Sequence, residues 1–495
     1  MRNLTTIFCA LLFSFVAGIA SAATLNVPGD YSTIQAAVDA AALGDLILVA
    51  DGTYKENVDL MGKWITLRSV NGAEKTIIDG QKKGTVLRIV NSSLTRPLIE
   101  GFTIQNGLSP DGAGIYAQGT GVNPNIRKCR ITGNATTPDS EGLGGGIYML
   151  GTNARIEECE IFGNVARIGG GVYMYSVHIN VLYRNYIHDN IATIGAGGVS
   201  VNGDYGPSIE LCTIVRNKGA LGGGIGVDGA PDTDIYGTVI AHNRASLGGG
   251  VYANWGASFT LASCTIARNT VTARGGGVYA VDNGTHIHVR GSILWANRKA
   301  QTGKNDPVVF EDGATVSVDD TDIQGGWPTG TGNISKNPGF VDMADDNYHL
   351  NVHSKVIDRL DDGPYKDIDG QCRPQDGDHN GVARYDMGAD EYDVRGCRPE
   401  KPYNLQVTDV TPTSITFTWQ GGESDPIPLE AFEVFHKTGS CTSNVRWRAV
   451  DKDVGDWEYT MEQLKPNTYH AFRVRGRNEF DVSKFSSCMS AKTAP

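Results

Sequence analysis

The chain has 495 residues, including 63 glycines and 9 cysteines, and its formal net charge at pH 7 is −12. An acidic protein repels nucleic acid and other acidic polymers. The apolar run near the N-terminus is too short for a membrane span, and no later stretch is apolar enough to cross a bilayer. We therefore expect no nucleic-acid partner and no membrane span.

The N-terminus has the pattern of a secretory signal. Arg2 precedes an apolar run over residues 7–19, and small residues from Ala20 to Ala22 follow it. We predict a signal peptide over residues 1–22 and a secreted, extracellular or cell-surface protein.

Residues 24–50 are expected to cap one end of a larger structure. Ser32 or Thr33 can cap a short helix whose apolar residues recur at helical spacing from Ile34 to Ala41. A strand at 45–49 follows the predicted helix.

From Gly101 to Asn297 one short pattern recurs eight times. Its clearest copy runs from Cys159 to Asn164 and then, after a loop, from Gly169 to Tyr173. Aligned copies place an asparagine at the same point of each repeat: Asn106, Asn134, Asn164, Asn190, Asn217, Asn243, Asn269 and Asn297. A glycine column keeps step with it: Gly114, Gly146, Gly171, Gly198, Gly224, Gly250 and Gly277. Such self-similarity indicates stacked supersecondary units.

Each repeat holds three short β-rich segments between Gly or Asn turns, and none is long enough for a helix. Three strands per coil, stacked at about 4.8 Å, predict an all-β, right-handed parallel β-helix. The asparagine side chains are expected to bond one another from coil to coil as a ladder. The glycines are expected to give the turn unusual backbone angles and to avoid a crowding Cβ.

With its Gly-Gly-Gly-Val-Tyr segments, the array resembles the pectin-lyase-like β-helix superfamily, in particular its bacterial surface and secreted members. The resemblance covers residues 24–392 and implies a fold rather than an activity. The motifs of polygalacturonases and pectate lyases are not matched residue by residue.

The cysteines fall into two groups. Four stand five residues before a ladder asparagine: Cys129, Cys159, Cys212 and Cys264. Their shared column indicates buried core thiols, and a metal ladder is the alternative. Four others lie outside the repeats, where export favours disulfides, and the simplest pairings are Cys372–Cys397 and Cys441–Cys488.

Residues just before the ladder asparagines form a column of charged and titratable side chains. Asp189, Arg216 and His242 stand there on consecutive coils. A general base and a charge-neutralising arginine would suit a polysaccharide lyase. A solvated column in which opposite charges stack is the simpler interpretation. These three residues and Asp228 are the candidate catalytic residues.

A second column follows the glycines at a fixed offset. It contains Tyr175, Asn202, Asp228 and Asn254, with Asp204 and Trp255 beside it. Carboxylates, amides and aromatic rings along one edge suit hydroxyl hydrogen bonds and sugar-ring stacking. Turns use the same residue types. We take this edge as the candidate substrate-binding site, with Trp255 as its stacking platform.

Residues 376–381 alternate oxygen-bearing side chains as a calcium loop does. Asp376, Asp378, Asn380 and Asp386 are the candidate ligands for a calcium cofactor. Met387 stands where the loop pattern has a bidentate acid, so a solvated acidic turn is the alternative.

From residue 401 the pattern changes to short alternating strands, such as 413–419, which are typical of a β-sandwich. The segment from Leu464 to Tyr469 resembles the tyrosine corner of fibronectin type III domains, with Trp419 as the core tryptophan. The predicted domains are a signal peptide (1–22), a β-helix with its cap and closing module (23–392), a linker (393–400) and a fibronectin type III domain (401–495).

These features favour a secreted or cell-surface β-helix protein that binds extracellular carbohydrate or mediates attachment. Its expected partner is a polysaccharide or a cell-surface component. The alternatives are a polysaccharide lyase or glycoside hydrolase acting on an extended polymer, and a structural envelope component. The sequence leaves the oligomeric state open.

Overall fold

The computed structural model describes residues 22–90, 94–176, 181–392, 399, 401–421, 429–478 and 482–495. Residues 1–21 of the predicted signal peptide, Cys397, and the predicted linker apart from residue 399 lie outside this part of the chain. In the described residues one α-helix, Ile34–Ala40, and one 3-10 helix, Met343–Asp345, accompany the strands, so the all-β prediction is confirmed. None of the described helices is long and apolar enough to span a membrane.

Three long parallel sheets run along the first domain, because each strand pairs with its counterpart on the next coil. Sheet A has 12 strands: Thr24–Val27, Leu46–Val49, Thr66–Ser69, Leu98–Glu100, Asn125–Arg127, Arg155–Glu157, Val181–Tyr183, Ser208–Glu210, Pro231–Tyr236, Ser258–Ala262, His286–Arg290 and Thr315–Asp319. Sheet B has 11 strands: Gly52–Tyr54, Thr76–Asp79, Thr103–Gln105, Arg130–Thr132, Glu160–Phe162, Tyr186–His188, Thr213–Val215, Val239–Ala241, Thr265–Ala267, Ile293–Trp295 and Asp322–Ile323. Sheet C has 10 strands: Val58–Asp59, Leu87–Val90, Ile115–Gln118, Ile147–Leu150, Val172–Tyr175, Val199–Asn202, Ile225–Asp228, Val251–Asn254, Val278–Ala280 and Val308–Phe310.

Short strands between sheets B and C form a narrow sheet D in two parts. The first part contains Leu108–Ser109, Ala135–Thr136, Val165–Ala166 and Ile191–Ala192, and the second contains Arg244–Leu247, Thr270–Arg274 and Arg298–Lys299. From Leu46 onward the chain passes through sheets A, B and C in that order, coil after coil. This order confirms the predicted parallel β-helix.

Parallel register places equivalent side chains of successive coils directly above one another. In sheet C, for example, Val172 and Met174 point inward and are fully buried, and their partners on the next coil are Val199 and Val201. The interior is therefore a continuous stack of aliphatic columns, stabilised by the apolar area that it removes from water. Outward-facing side chains form columns in the same way, and these columns carry the candidate sites.

The predicted asparagine ladder is present and buried. Oδ1 of Asn217 accepts hydrogen bonds from the backbone N–H and from Nδ2 of Asn190, both at 3.0 Å. Its own Nδ2 donates to the carbonyl of Ile187 at 2.9 Å and to Oδ1 of Asn243 at 3.1 Å. The members of the ladder are Asn134, Asn164, Asn190, Asn217, Asn243, Asn269 and Asn297.

The predicted position of the first ladder residue is wrong by one. Asn106 has a left-handed backbone conformation, with a φ of 57°, and its Nδ2 donates to Asp79. Gly107 occupies the ladder position, and its N–H donates to Oδ1 of Asn134. Asparagine tolerates the left-handed conformation, so it suits either position of this turn and the repeat pattern did not separate them.

Close packing of backbones explains the glycine column. A Cβ on Gly171 would lie 2.7 Å from the carbonyl oxygen of Gly198 and 3.0 Å from Nδ2 of Asn190. The positive φ that we expected in this turn falls two residues earlier, at Gly169, where φ is 67°. The column glycines therefore allow the backbone to lie directly against the ladder asparagines.

The four repeat cysteines are free and buried, and they belong to a second polar ladder that the sequence analysis missed. This ladder follows the turn from sheet A to sheet B. The N–H of Cys159 donates to Oδ1 of Asn185, and the N–H of Cys264 donates to Oγ of Ser292, both at 3.0 Å. Sγ of Cys264 donates to the carbonyl of Ile235 at 3.4 Å. The thiols therefore form hydrogen bonds as well as packing in the core.

The N-terminal end of the β-helix is capped as predicted. The helix Ile34–Ala40 begins after Thr33, whose Oγ1 accepts a hydrogen bond from the N–H of Ala36. Its buried residues Ile34, Ala37 and Val38 belong to the main core.

After the last coil, residues 337–392 fold back along the outside of the array, and we call them the closing segment. It begins with an antiparallel pair of strands, Phe340–Asp342 and Asn347–Leu350. Tyr348 and Ala389 pack on outward-facing residues of sheet B, and the N–H of Ala389 donates to Oγ1 of Thr265 at 3.0 Å. The closing segment thus covers one face of the β-helix.

The second domain is a sandwich of two antiparallel sheets. One sheet contains Tyr403–Val410, Ile415–Gln420 and Glu458–Met461, and the other contains Arg448–Val454, Ala431–Thr438, Tyr469–Arg477 and Met489–Lys492. Trp419 is buried in the core as predicted, whereas Tyr469 is 53% exposed and lacks the buried position of a tyrosine corner. The predicted disulfide Cys441–Cys488 is present. The pairing Cys372–Cys397 includes a residue outside the described part of the chain.

Candidate functional site

The four candidate catalytic residues lie at two different corners of the coil. Asp189, Arg216 and His242 follow strands of sheet B on consecutive coils, and each has a positive φ, between 53° and 55°. Asp228 ends a strand of sheet C. The first three therefore form a column of their own, apart from Asp228.

The closing segment covers the column of Asp189. Nε of Arg216 donates to Oδ2 of Asp189 at 3.3 Å, and its guanidinium also pairs with Asp346 of the closing segment. Nε2 of His242 lies 2.9 Å from the carbonyl oxygen of Met343. Burial lowers the pKa of His242 and so favours its neutral form. In this structure, Arg216 and His242 contact the closing segment.

The second candidate column forms a rim along the ends of the sheet C strands. Tyr175, Asn202, Asp228 and Asn254 are register partners on four consecutive coils. Tyr175 is 41% exposed, and Trp255, which follows the column, is 71% exposed with a positive φ of 54°. Asp204 is exposed in the neighbouring turn. The structure thus brings the candidate substrate-binding residues to one edge.

Two polar groups of this rim are shielded from water. Asp228 is half-buried, and burial raises its pKa to about 6, so its carboxyl can exchange a proton close to neutral pH. Asn254 is buried, and its Oδ1 has no hydrogen-bond partner among the described residues. The carboxyl of Asp228, with its raised pKa, has the chemistry of a general acid or base. The unpaired amide oxygen can accept a hydrogen bond from a ligand hydroxyl.

The acidic loop of the closing segment is ordered by its own hydrogen bonds. Oδ2 of Asp376 accepts from the N–H of Gly381 at 3.2 Å, and Oδ1 of Asp378 accepts from the N–H of Asn380 at 3.0 Å. Asp376, Asp378 and Asp358 each offer a carboxylate oxygen, and these oxygens lie within 4.8 Å of one another. Burial and the charges of the other two acids raise the pKa of Asp358.

Asp386, the fourth candidate ligand, lies apart from these three carboxylates. Its carboxylate accepts hydrogen bonds from the N–H groups of Asp358 at 2.7 Å and of Tyr392 at 2.8 Å. Asp358 was not predicted as a ligand, because this residue precedes the loop pattern and approaches it only when the closing segment folds.

The structure contains a cleft on the outer face of sheet A that the sequence analysis also missed. On five consecutive coils the register partners there are Tyr183, Glu210, Tyr236, Ala262 and Arg290. Coils lie about 4.8 Å apart, so the small side chain of Ala262 leaves a gap of about 10 Å between its two neighbours in the column. Earlier coils carry paired charges in this column, such as Arg127 and Glu100 at 3.1 Å.

The closing segment forms the other wall of this cleft. Residues 363–366 lie over sheet A, and the volume of the cleft is about 640 Å³. Just before the wall, Asp362 pairs with Arg290 of sheet A at 2.9 Å, and Asp361 pairs with Arg384 of the closing segment itself at 2.7 Å. Tyr365, at the mouth, is 54% exposed.

The lining of the cleft combines aromatic rings with charged side chains. The rings of Tyr183, Tyr236 and Tyr365 offer apolar faces, while Asp234 and Arg290 offer an acceptor and donors. Aromatic rings with a few converging polar groups are typical of small-ligand pockets. The sequence does indicate the tyrosine column of the cleft, because Tyr183 and Tyr236 each stand two residues before a member of the second ladder. The wall was not predictable, because it comes from outside the repeats.

Comparison with known proteins supports both domains. Residues 73–221 and 113–294 match the family model described as right handed beta helix region, and residues 400–489 match that of the fibronectin type III domain. Roundabout homolog 2 from Homo sapiens is 36% identical over 85 residues, which are 17% of this chain and 6% of that protein. A cell surface glycoprotein from Methanothermus fervidus is 32% identical over 139 residues, which are 27% of this chain and 21% of that protein.

The chain thus spans less than a quarter of the length of either relative. Among solved structures, titin kinase and its flanking domains is 29% identical, with 19% of this chain and 17% of that chain covered. The TM-score of this match is 0.18.

Proposed function

We propose that this chain, a right-handed parallel β-helix followed by a fibronectin type III domain, acts outside the cell or at its surface and binds a carbohydrate polymer. The observation that carries the proposal is the cleft on sheet A, where three tyrosines and side chains of both charges surround about 640 Å³. A groove along stacked coils also suits an extended ligand, because neighbouring coils repeat the same contacts.

Two further observations support the location. The disulfide Cys441–Cys488 is of a kind that persists in oxidising compartments. The relative from Methanothermus fervidus carries the name cell surface glycoprotein. Both agree with the secretory pattern of the N-terminus.

The test is binding to a panel of immobilised polysaccharides, measured with the full chain. Tyr365→Ala removes an exposed ring from the mouth of the cleft and should weaken binding by about 1–2 kcal/mol. Tyr403→Ala is the matched control, because this tyrosine is equally exposed (53% against 54%) but belongs to the other domain. Equal affinities for the two variants would remove the cleft from the proposal. Loss of affinity in Trp255→Ala instead would move the site to the rim. No binding to any member of the panel would favour a structural envelope component.

A polysaccharide lyase or hydrolase is the second candidate, and the observation that favours it is Asp228. Its pKa, raised to about 6 by burial, suits proton transfer near neutral pH. The panel should then be degraded, with unsaturated products in the case of a lyase. Asp228→Asn should abolish the reaction while leaving binding in place. An intact panel after prolonged incubation would reject this candidate.

Calcium binding by the closing segment is a separate proposal. The close approach of the carboxylates of Asp358, Asp376 and Asp378 supports it, because a divalent cation offsets their mutual repulsion. Calcium should raise the melting temperature of the native chain but not that of Asp378→Asn. Asp361→Asn, which changes an exposed acid of the same segment, should respond as the native chain does. An identical response of Asp378→Asn would reject the site.

A further inference from the structure

The fibronectin type III domain carries a row of arginines on one outer face. Arg473, Arg475 and Arg477 alternate along the strand Tyr469–Arg477, so their side chains point the same way. Phe472 directly precedes Arg473 in this strand, so its side chain points to the opposite face, and it is fully buried. The arginine face is therefore the outer side of the sheet.

Two of the three arginines are neutralised by acids. Arg475 pairs with Glu433 at 2.6 Å, and Arg477 pairs with Asp453 at 2.7 Å. Within the described ranges, Arg473 pairs with no carboxylate, and its Nε is buried without a hydrogen-bond partner. Among the carboxylates of the described residues, none therefore compensates its charge.

Aromatic rings surround Arg473 instead. Its guanidinium carbon lies 3.6 Å from the ring centre of Phe485, 4.5 Å from that of Trp447 and 5.6 Å from that of Phe435. Cation–π contacts orient a guanidinium but leave its net charge in place. Arg473 is thus a positioned, unpaired cation at a half-buried site.

Further positive charge lies around the same rings. Nζ of Lys437 is 4.9 Å from the ring centre of Trp447 and donates to the carbonyls of Cys441 at 2.9 Å and Ser443 at 2.7 Å. Arg446, next to Trp447 in the chain, is exposed. Residues 401–495 hold 11 of the 43 basic and 12 of the 55 acidic residues, so this domain carries little of the negative charge that dominates the rest of the chain.

We propose that one cationic aromatic face binds an acidic glycan through the sulfate or carboxylate groups of the glycan. This face consists of three cations around three rings: Arg473, Lys437 and Arg446 with Trp447, Phe485 and Phe435. Guanidinium groups pair with oxyanions through two parallel hydrogen bonds, and Arg473 is already oriented, so little side-chain entropy is lost on binding. Single-stranded nucleic acid fits less well, because its bases need free ring faces to stack on, whereas Arg473 and Lys437 lie against these rings. The site is separate from the cleft on sheet A and extends the proposed function to a second domain.

The test measures binding of the full chain to immobilised dextran sulfate, polygalacturonate and uncharged dextran over a range of salt concentrations. We expect binding to at least one of the acidic polymers, none to dextran, and a loss of affinity as salt rises. The comparison of dextran sulfate with polygalacturonate identifies the preferred anion.

Arg473→Met keeps an apolar chain among the rings but removes the charge, and it should weaken binding about tenfold. Arg477→Met is the matched control: it makes the same change of net charge on the same strand, but its guanidinium already pairs with Asp453. The control should change affinity less than about twofold. Equal effects of the two variants would show that only overall charge matters and would overturn the proposal.

If Arg473→Met has a lower melting temperature than the native chain, two further variants separate loss of binding from loss of folding. Arg473→Lys keeps the charge and should retain more affinity than Arg473→Met, and the exposed Arg446→Gln should weaken binding about threefold without a change in melting temperature. Native affinity in Arg446→Gln, or single-stranded DNA binding as tightly as the better acidic glycan, would overturn the assignment of the ligand.

Discussion

Replacing Asn217 with alanine removes four hydrogen bonds from the middle of the buried ladder. The backbone N–H of Asn190 and one hydrogen of its Nδ2 then lose their acceptor, at a site with no exposure to solvent. An unsatisfied buried polar group costs about 1–3 kcal/mol. The two donors together should therefore lower the free energy of unfolding by about 2–6 kcal/mol, and the carbonyl of Ile187 loses a donor as well.

Thermal or denaturant unfolding of the full chain, followed by circular dichroism, measures this cost. Asn71→Ala is the control, because Asn71 is exposed and bonds only to Asp51 on the surface; it should cost less than about 0.5 kcal/mol. Asn134→Ala provides a graded comparison, since only the N–H of Gly107 loses its acceptor there. We expect the order Asn217→Ala, Asn134→Ala, Asn71→Ala, from most to least destabilised. If Asn217→Ala unfolded with the control, stacked amides would not be what stabilises the turns.

Two more predictions follow from buried titratable groups. Cys264→Ser preserves the hydrogen bonds of the second ladder, so its free energy of unfolding should be close to that of the native chain. Cys264→Val should lower the free energy of unfolding by about 1–3 kcal/mol more than Cys264→Ser does. Burial raises the pKa of the Cys264 thiol to about 12, so mass spectrometry should find this thiol alkylated only after unfolding. Burial and the neighbouring His470 lower the pKa of His436 to about 4, below its ordinary 6.5. Between pH 6.5 and 4 the unfolded chain therefore binds a proton at His436 that the folded chain does not bind. The free energy of unfolding of the second domain should fall as the pH drops through this range. His436→Gln should flatten that part of the melting profile, and an unchanged slope would contradict the assignment.

The repeat pattern predicted the β-helix because a fixed period states which residues share a column. It could not state which atoms of a column bond to one another. The cysteine column was therefore interpreted as packing alone, although Asn185 and Ser292 occupy the same column and accept its N–H bonds. The apparent ladder member Asn106 shows the complementary error, because an asparagine in the neighbouring turn position resembles the repeat without joining the ladder.

The column of Asp189 and the cleft on sheet A depend on the closing segment, whose path the repeat period does not predict. The segment lies outside the repeats, so its path over the array follows from contacts that only the folded chain contains, such as Ala389 on Thr265. Over sheet B it contacts Arg216 and His242, two of the residues that the sequence offered for catalysis. Over sheet A it builds a wall opposite Tyr236, and this wall turns an outward-facing column into a cleft. One segment thus covers one candidate face and creates another. For this reason we place the proposed carbohydrate site beside the closing segment, where it encloses a volume, rather than beneath it.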